Sequence, residues 1–355
     1  MVSSHSCFKF VISGGYFCGR KKTIMIMNLT TNIQCAKRNM LITLLVVTAS
    51  LFFHFSVNAQ TPEQWKSMKG DVSVFIANDL GRNGYYEQKT IAELMGLMAE
   101  EIGPEAVVAA GDIHHFDGVV STQDPLWMTN YELIYAHPEL MIAWNPVLGN
   151  HEYRGNTQAV IDYRNVSRRW EMEGRYYTKV FEDNGVTIRM ILIDTTPLIN
   201  KYHHNSTYPD VDAQNVEAQL KWVDQTLSEA KEDWVIVVGH HPMYADTKKS
   251  LDEQTDMQKA LLPILRKYKE KVDMYVSGHI HNFQHIRRGN DGIDFVVNSS
   301  ASLARKVNPT EGTIFCSPEE GFSVVSATKQ QLALYMIDKK GVILHEVKRA
   351  GKTTK

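Results

Sequence analysis

Hydrophobic positions along the chain follow two periods after Asp71. Short apolar runs rich in β-branched residues predict strands over 72–77, 106–110, 141–147, 187–193, 234–238, 272–276 and 295–297. Between them, helical patterning predicts helices over 88–102, 216–230 and 256–268. Strands alternating with helices are the pattern of layered α/β folds. The last stretch changes character: 321–326, 331–337 and 342–347 predict short strands joined by turns such as Asp338-Lys339-Lys340-Gly341, an antiparallel layer closing the fold. No repeat, low-complexity tract or linker interrupts this part, which predicts one domain over 65–350.

The chain before it reads as targeting. Lys37 and Arg38 precede an apolar run from Met40 to Val57, broken only by Thr, Ser and His54, which ends in the small-residue pattern Val57-Asn58-Ala59. This predicts a signal peptide cleaved before Gln60, with an uncleaved anchor over 40–57 as the rival, and Met25, Met27 or Met40 as alternative starts. The expected location is therefore periplasmic or secreted, with no membrane contact in the mature form. Residues 1–59 hold six basic and no acidic residues; without them the chain has 32 basic against 40 acidic, a net charge of −8. An acidic body argues against a nucleic-acid partner, because phosphate backbones are held by clustered Lys and Arg. Apolar residues make up 43% and charged residues 22%, too apolar for a disordered chain. Cys7, Cys18 and Cys35 fall in the upstream segment, so Cys316 is left alone and the domain must stand on its core without a disulfide.

Candidate chemistry lies where the early strands end. The first delivers Asp79, the second Asp112 followed by His114 and His115, the third Asn150 and His151. Two later strands deliver His240, then His279 with His281 two residues on. In a mostly parallel sheet those carboxyl ends share one edge, where ligands bind. Oxygen and imidazole donors without a thiolate suit Zn, Fe or Mn. Two Asp, one Asn and three His exceed what one catalytic ion needs and suit two ions sharing a carboxylate. Two ions about 3.5–4 Å apart activate a water and clamp an in-line displacement at phosphorus. Each residue alone has a plainer reading: Asp79 as a turn residue, Asp112 and Asn150 as caps, His240 or His279 as a satisfied core histidine. The period-2 spacing of His279 and His281 at a strand end, which points both rings to one side, fits the metal reading better.

The series Asp79-x-Gly81, Gly111-Asp112, Gly149-Asn150-His151-Glu152, Gly239-His240 and Gly278-His279-x-His281 resembles the calcineurin-like metallophosphoesterases. More narrowly, the chain is similar to the small purple, or tartrate-resistant, acid phosphatases. That likeness adds Gly155-Asn156, Arg169-Trp170, Tyr176-Tyr177, Asp194-Thr195, His241-Pro242 and His281-Asn282-Phe283-Gln284, and covers roughly 70–348. It implies a four-layer α/β/β/α sandwich with mixed sheets. It also implies a first ion held by Asp79, Asp112 and His281, with Asp112 shared, and a second completed by Asn150, His240 and His279. His151 would bind no metal and would act catalytically, stabilising the phosphorus or protonating the leaving oxygen. One departure stands out. Where the purple enzymes carry the tyrosine whose bond to ferric iron gives their colour, this chain has His115. A divalent pair without a purple absorption band is therefore expected, with His115 binding the first ion through nitrogen.

Around the substrate, Arg82, His204 and His241 are candidate phosphate contacts, with His203 beside them; solvated loop residues are the alternative. Glu152 reads as a turn or supporting acceptor. The expected activity is exported hydrolysis of phosphate monoesters, on a phosphorylated small molecule or phosphoprotein. The rivals are a phosphodiesterase or nucleotide pyrophosphatase using the same site, and a metal-binding surface protein without catalysis.

Overall fold

The computed structural model describes residues 62–247, 251–289 and 291–352. The upstream segment and signal peptide expected over 1–59, with the alternative anchor over 40–57, lie outside the described residues. The chain begins with α1 (Pro62–Lys66), β1 (Val72–Ala77), α2 (Gln88–Ile102), β2 (Ala106–Ala109), β3 (Ala143–Pro146) and α3 (Thr157–Asp162). It continues through β4 (Tyr177–Asp183), β5 (Val186–Leu192), α4 (Val216–Glu229), β6 (Trp234–Val238), α5 (Leu251–Ala260) and α6 (Leu262–Lys267). Then follow β7 (Met274–Ser277), β8 (Phe283–Ile286), β9 (Asp294–Val297), β10 (Thr313–Ser317), β11 (Gly321–Ala327), β12 (Gln331–Asp338) and β13 (Ile343–Ala350).

Two mixed sheets form the body, ordered β13-β12-β11-β1-β2-β3 and β10-β8-β9-β7-β6-β5-β4. Each has a parallel half: β1, β2 and β3 in the first, and β5, β6, β7 and β9 in the second. The C-terminal strands β11, β12 and β13 are antiparallel, as the change of pattern predicts. In β1, β6, β7, β9 and β11 every residue is buried, so both faces of each sheet are covered. The sheets are tied to each other near the parallel strands. Asn298, just after β9, donates to the carbonyl of Ile76 in β1 (3.1 Å) and accepts from Ser323 in β11 (2.7 Å). Helix α2 turns Ile91, Met95, Met98 and Ile102 inward on one face. This is the layered α/β sandwich expected.

Some elements differ from expectation. The single helix predicted over 256–268 is two helices, with Pro263 in the first turn of α6. Proline has no N–H to give and its ring clashes with the preceding turn, so the helix restarts there. Strands β4, β8 and β10 have no counterpart among the expected strands, being edge strands or only four residues long. No helix of the described residues is long and apolar enough to cross a membrane.

Candidate metal centre

The parallel strands release their donors onto one rim. Asp79 follows β1, Asp112 and His115 follow β2, Asn150 and His151 follow β3, His240 follows β6, and His279 and His281 follow β7. Asp79 Oδ1 lies 3.0 Å from His281 Nε2 and 3.9 Å from His115 Nε2. Asp112 Oδ2 lies 3.1 Å from His240 Nε2, 3.5 Å from His115 Nε2 and 3.7 Å from His151 Nε2. His279 Nδ1 and His240 Nε2 face each other at 3.3 Å. Donor atoms of Asp79, His115 and His281 lie within 4.8 Å of one another, as do those of Asp79, Asp112 and His240. Asn150 opens onto the same cleft as His151 and His279.

Local backbone makes this convergence possible. Gly111 has φ +89°, and a Cβ there would stand 2.5 Å from His240 Nδ1. A Cβ on Gly149 would stand 2.2 Å from Asp112 Oδ1, so any side chain there would displace the carboxylate. Asp79, Asp112, His279 and His281 themselves adopt left-handed backbone, with φ between 51° and 72°. Such conformations cost non-glycine residues on the order of 1–3 kcal/mol and collect at functional sites.

The outer atoms of the histidines are tied down, leaving the inner ones free. His240 Nδ1–H donates to the Ala110 carbonyl (2.9 Å) and His281 Nδ1–H to that of Leu303 (2.7 Å), turning both Nε2 atoms inward. His279 is reversed: Nε2–H donates to Glu253 (2.9 Å), so Nδ1 points in. His151 Nδ1–H donates to the Phe116 carbonyl, which directs its Nε2 toward Asp112. By contrast Asp79 Oδ1, Asn150 Oδ1 and both ring nitrogens of His115 are buried without a hydrogen-bond partner. Buried polar atoms are paired as a rule, so a cluster of partnerless donors is a place shaped for a ligand. The electrostatics agree on its sign. Burial lowers His240, yet Asp112 outweighs it and carries the imidazole up to about 10. Burial raises Asp79, but His281 holds it below the usual carboxylate range. The carboxylates therefore favour positive charge between them, and the donor set fits a pair of ions of the Zn, Mn or Fe class.

Two supporting carboxylates complete the rim. Glu152 is fully buried and accepts from the backbone N–H groups of Gly149 (2.7 Å), Asp112 (2.9 Å) and His114 (3.1 Å), locking two donor loops together. Burial, then the charge of Asp112, push it up to about 7. Glu253 was missed in the sequence. It lies in a polar stretch of α5, and nothing in that pattern foretells that the helix packs its carboxylate onto His279, Tyr202 and Lys201.

Of the expected substrate contacts, two are corrected. His204 is almost fully exposed on its loop, paired with Asp212 at 3.3 Å, and does not line the cleft; His203 is likewise held by Asp212 and the Pro197 carbonyl. His241 is fully buried behind the rim, its nitrogens engaged by Thr195 Oγ1 (2.8 Å) and Tyr202 OH (3.1 Å). Burial and the neighbouring His279 push its pKa well down, and with both ring nitrogens already engaged it has none to offer a phosphate. Arg82 is near the centre. Its Nε is buried and unpartnered, and its guanidinium lies 5.0 Å from the Phe116 ring, in a pocket shared with Tyr85, Tyr86 and His115. His114 points away, toward Asn130 and Trp127. On the other side, a cleft of about 650 Å³ opens from Asn150, His151 and His279.

These donors at strand ends of a two-sheet sandwich define a metallophosphoesterase, and the comparisons agree. The chain belongs to the calcineurin-like phosphoesterase family, whose model matches residues 72–283. It is 31% identical over 326 residues to purple acid phosphatase 3 of Arabidopsis thaliana, covering 85% of this chain and 86% of that protein. It is 27% identical over 273 residues to tartrate-resistant acid phosphatase type 5 of Sus scrofa, covering 72% and 79%. Among solved structures it is similar to GAP50, the anchor in the inner membrane complex of Plasmodium, with a TM-score of 0.68, 22% identity, and 80% and 90% coverage. That last likeness concerns the fold alone.

Proposed function

We propose that this chain is an exported phosphatase that hydrolyses phosphate monoesters at a two-ion centre, with 65–350 as its catalytic domain. The observation that carries the reading is the convergence of carboxylate, amide and imidazole donors from five strand ends, three of which bring buried atoms without a partner. In this reading Asp79, His115 and His281 would hold one ion and Asn150, His240 and His279 the other, with Asp112 available to both. When bound, such a pair neutralises phosphate charge and renders a water nucleophilic. The protein does the rest. Ala110, Leu303 and Glu253 fix which nitrogen each histidine presents. Asp112 Oδ1 accepts from the His151 backbone N–H (2.9 Å) and so places the catalytic imidazole against the centre. His151 Nε2, the ring nitrogen that Phe116 leaves free, faces the centre and would pass a proton to the leaving oxygen from the imidazolium form, in which both nitrogens carry hydrogen. Export is supported by the apolar run over 40–57 with its small-residue ending.

The test is turnover of p-nitrophenyl phosphate by purified protein supplied with Mn, Zn or Fe, with bis(p-nitrophenyl) phosphate in parallel. Loss of activity on chelation and preference for the monoester are the expected results. A protein that binds the ions and cleaves neither ester would refute the assignment. With His115 in place of the tyrosine, the loaded enzyme should show no purple absorption band.

A further inference from the structure

Apart from the openings at the metal centre, a cavity of about 460 Å³ lies between the approach to β4, the end of β5 and the start of α4. Its size is ordinary for a small-molecule site. It shares no lining residue with either opening at the centre. Asp194, only 2% exposed, is one of its walls. One carboxylate oxygen, Oδ2, accepts from Tyr153 OH and lies 3.9 Å from Arg175 Nη1. The other, Oδ1, is buried without a hydrogen-bond partner. An acceptor in that state is costly, and a donor on a ligand would relieve it. Burial pushes Asp194 up to about 7, against the pull of Tyr153, Arg175 and the Thr196 backbone.

The rest of the wall says what kind of donor fits. Arg175 is its one cation and Asp194 its one anion among the described residues, so the cavity is electrically balanced. A phosphate would meet the carboxylate and a cation the guanidinium, which favours a neutral ligand. Two planar amides supply open hydrogen-bonding groups. Gln214 Nε2 donates to the Asp210 carbonyl (2.8 Å), leaving its oxygen uncommitted among the described residues. Asn215 is the reverse: its Oδ1 accepts from the Ala218 N–H (2.9 Å), leaving the amide hydrogens uncommitted. Gln219 uses both ends on the Asp194 backbone (2.9 and 2.8 Å) and so fixes the acid in place. Tyr176, its ring centre 5.0 Å from that of Trp222, adds a flat apolar face with a hydroxyl at its edge. Open acceptors and donors beside a flat ring are what a sugar needs, because each hydroxyl gives one hydrogen bond and takes another while the C–H face lies on an aromatic ring. A guanine base would call for both carboxylate oxygens, and Tyr153 already holds one.

We propose that this cavity is a binding site for a neutral sugar, with Asp194 Oδ1 accepting from a hydroxyl, Gln214 and Asn215 engaging its neighbours, and Tyr176 against the ring face. The site is independent of the phosphatase reading, since no phosphate takes part and no bond is made or broken.

Ligand-detected saturation-transfer NMR on the full-length protein tests it, with D-glucose, D-galactose and N-acetyl-D-glucosamine as probes. At least one should show saturation of its ring protons. Gln214→Ala and Tyr176→Ala, at partly exposed positions, should each weaken that sugar about fivefold or more in a concentration series, the loss expected of one contact. Asp194→Asn should weaken it as well: the amide oxygen stays with Tyr153 OH, and a donor replaces the open acceptor. Turnover of p-nitrophenyl phosphate should be unchanged in Gln214→Ala. The methyl glycoside of the bound sugar separates two sources of the ligand: retained binding assigns the site to a glycan end, lost binding to the free sugar. Excess orthophosphate should leave the signal in place. Displacement by orthophosphate, no signal from any of the probes, or a signal unchanged in all the variants overturns the site; binding of guanosine instead of a sugar overturns its class.

Discussion

Among the described residues, histidine and aspartate are buried together on the rim and again between β8, β9 and β13, and they are satisfied in only one of the two. Between β8, β9 and β13, His285 donates Nε2–H to Asp294 (2.7 Å) and meets His345 through Nδ1 (2.9 Å). Arg287 binds both Asp294 oxygens (2.5 and 3.1 Å), Arg349 adds a contact at 3.4 Å, and Phe315 stacks on His345. Every hydrogen-bonding need of Asp294 is met by the protein itself. On the rim, the same residue types leave Asp79 Oδ1 and both His115 nitrogens with nothing to bind. Composition does not separate these clusters; the state of their last lone pairs does. The first ties one sheet to the other, and the second presents its donors to something brought from solution.

That contrast can be broken at several points. The largest effect belongs to Asp112→Ala, which removes the carboxylate nearest to three imidazoles: elemental analysis should find both ions lost and assays only background turnover. His151→Ala comes next, slowing kcat roughly 10²–10⁴-fold while both ions remain bound. Asp294→Ala should act on the other side of the comparison, costing about 3–5 kcal/mol in chemical denaturation by leaving buried partners unpaired, with activity per folded molecule kept. Burial raises Asp294, but His285 and Arg287 outweigh it and hold its pKa low. Its contribution is therefore fully present above the ordinary carboxylate pKa and is lost as pH falls below that value through the lowered folded-state pKa, and a pH series of melting curves on wild type and variant checks that sign. The smallest effect is expected for Glu253→Gln, which replaces the charged acceptor of the outer His279 nitrogen with a neutral one and should weaken binding of one ion about 10–100-fold in a chelator competition. Equal losses of metal in Asp294→Ala and Glu253→Gln would erase the distinction between the two clusters.

The donors were legible because each stands directly behind an apolar β-branched run, as with the Trp234–Val238 strand ahead of His240 or the run before Asp112; parallel strands bring such ends to one edge. What supports them was not. Glu253 and Lys201 lie on helix or loop stretches whose destination is decided by tertiary packing, and no local pattern announces it. His204 and His241 were misread for the converse reason: histidine beside a motif says nothing of whether the ring faces the cleft, the solvent or the core. Strand β4 did carry a signal. Asn184-Gly185, both with positive φ, joins it to β5 as a tight hairpin, and that dipeptide between apolar runs is the usual mark of one.

The left-handed backbone at Asp79, Asp112, His279 and His281 has a bearing on how such a protein could change over time. Glycine would rest more easily in those conformations than aspartate or histidine does. A descendant that no longer needed its ions would gain by exchanging these four residues for the more comfortable type, with little insult to the sheets behind them. Charged and imidazole side chains in such turns are what the proposed cation capture, rather than ease of folding, would call for.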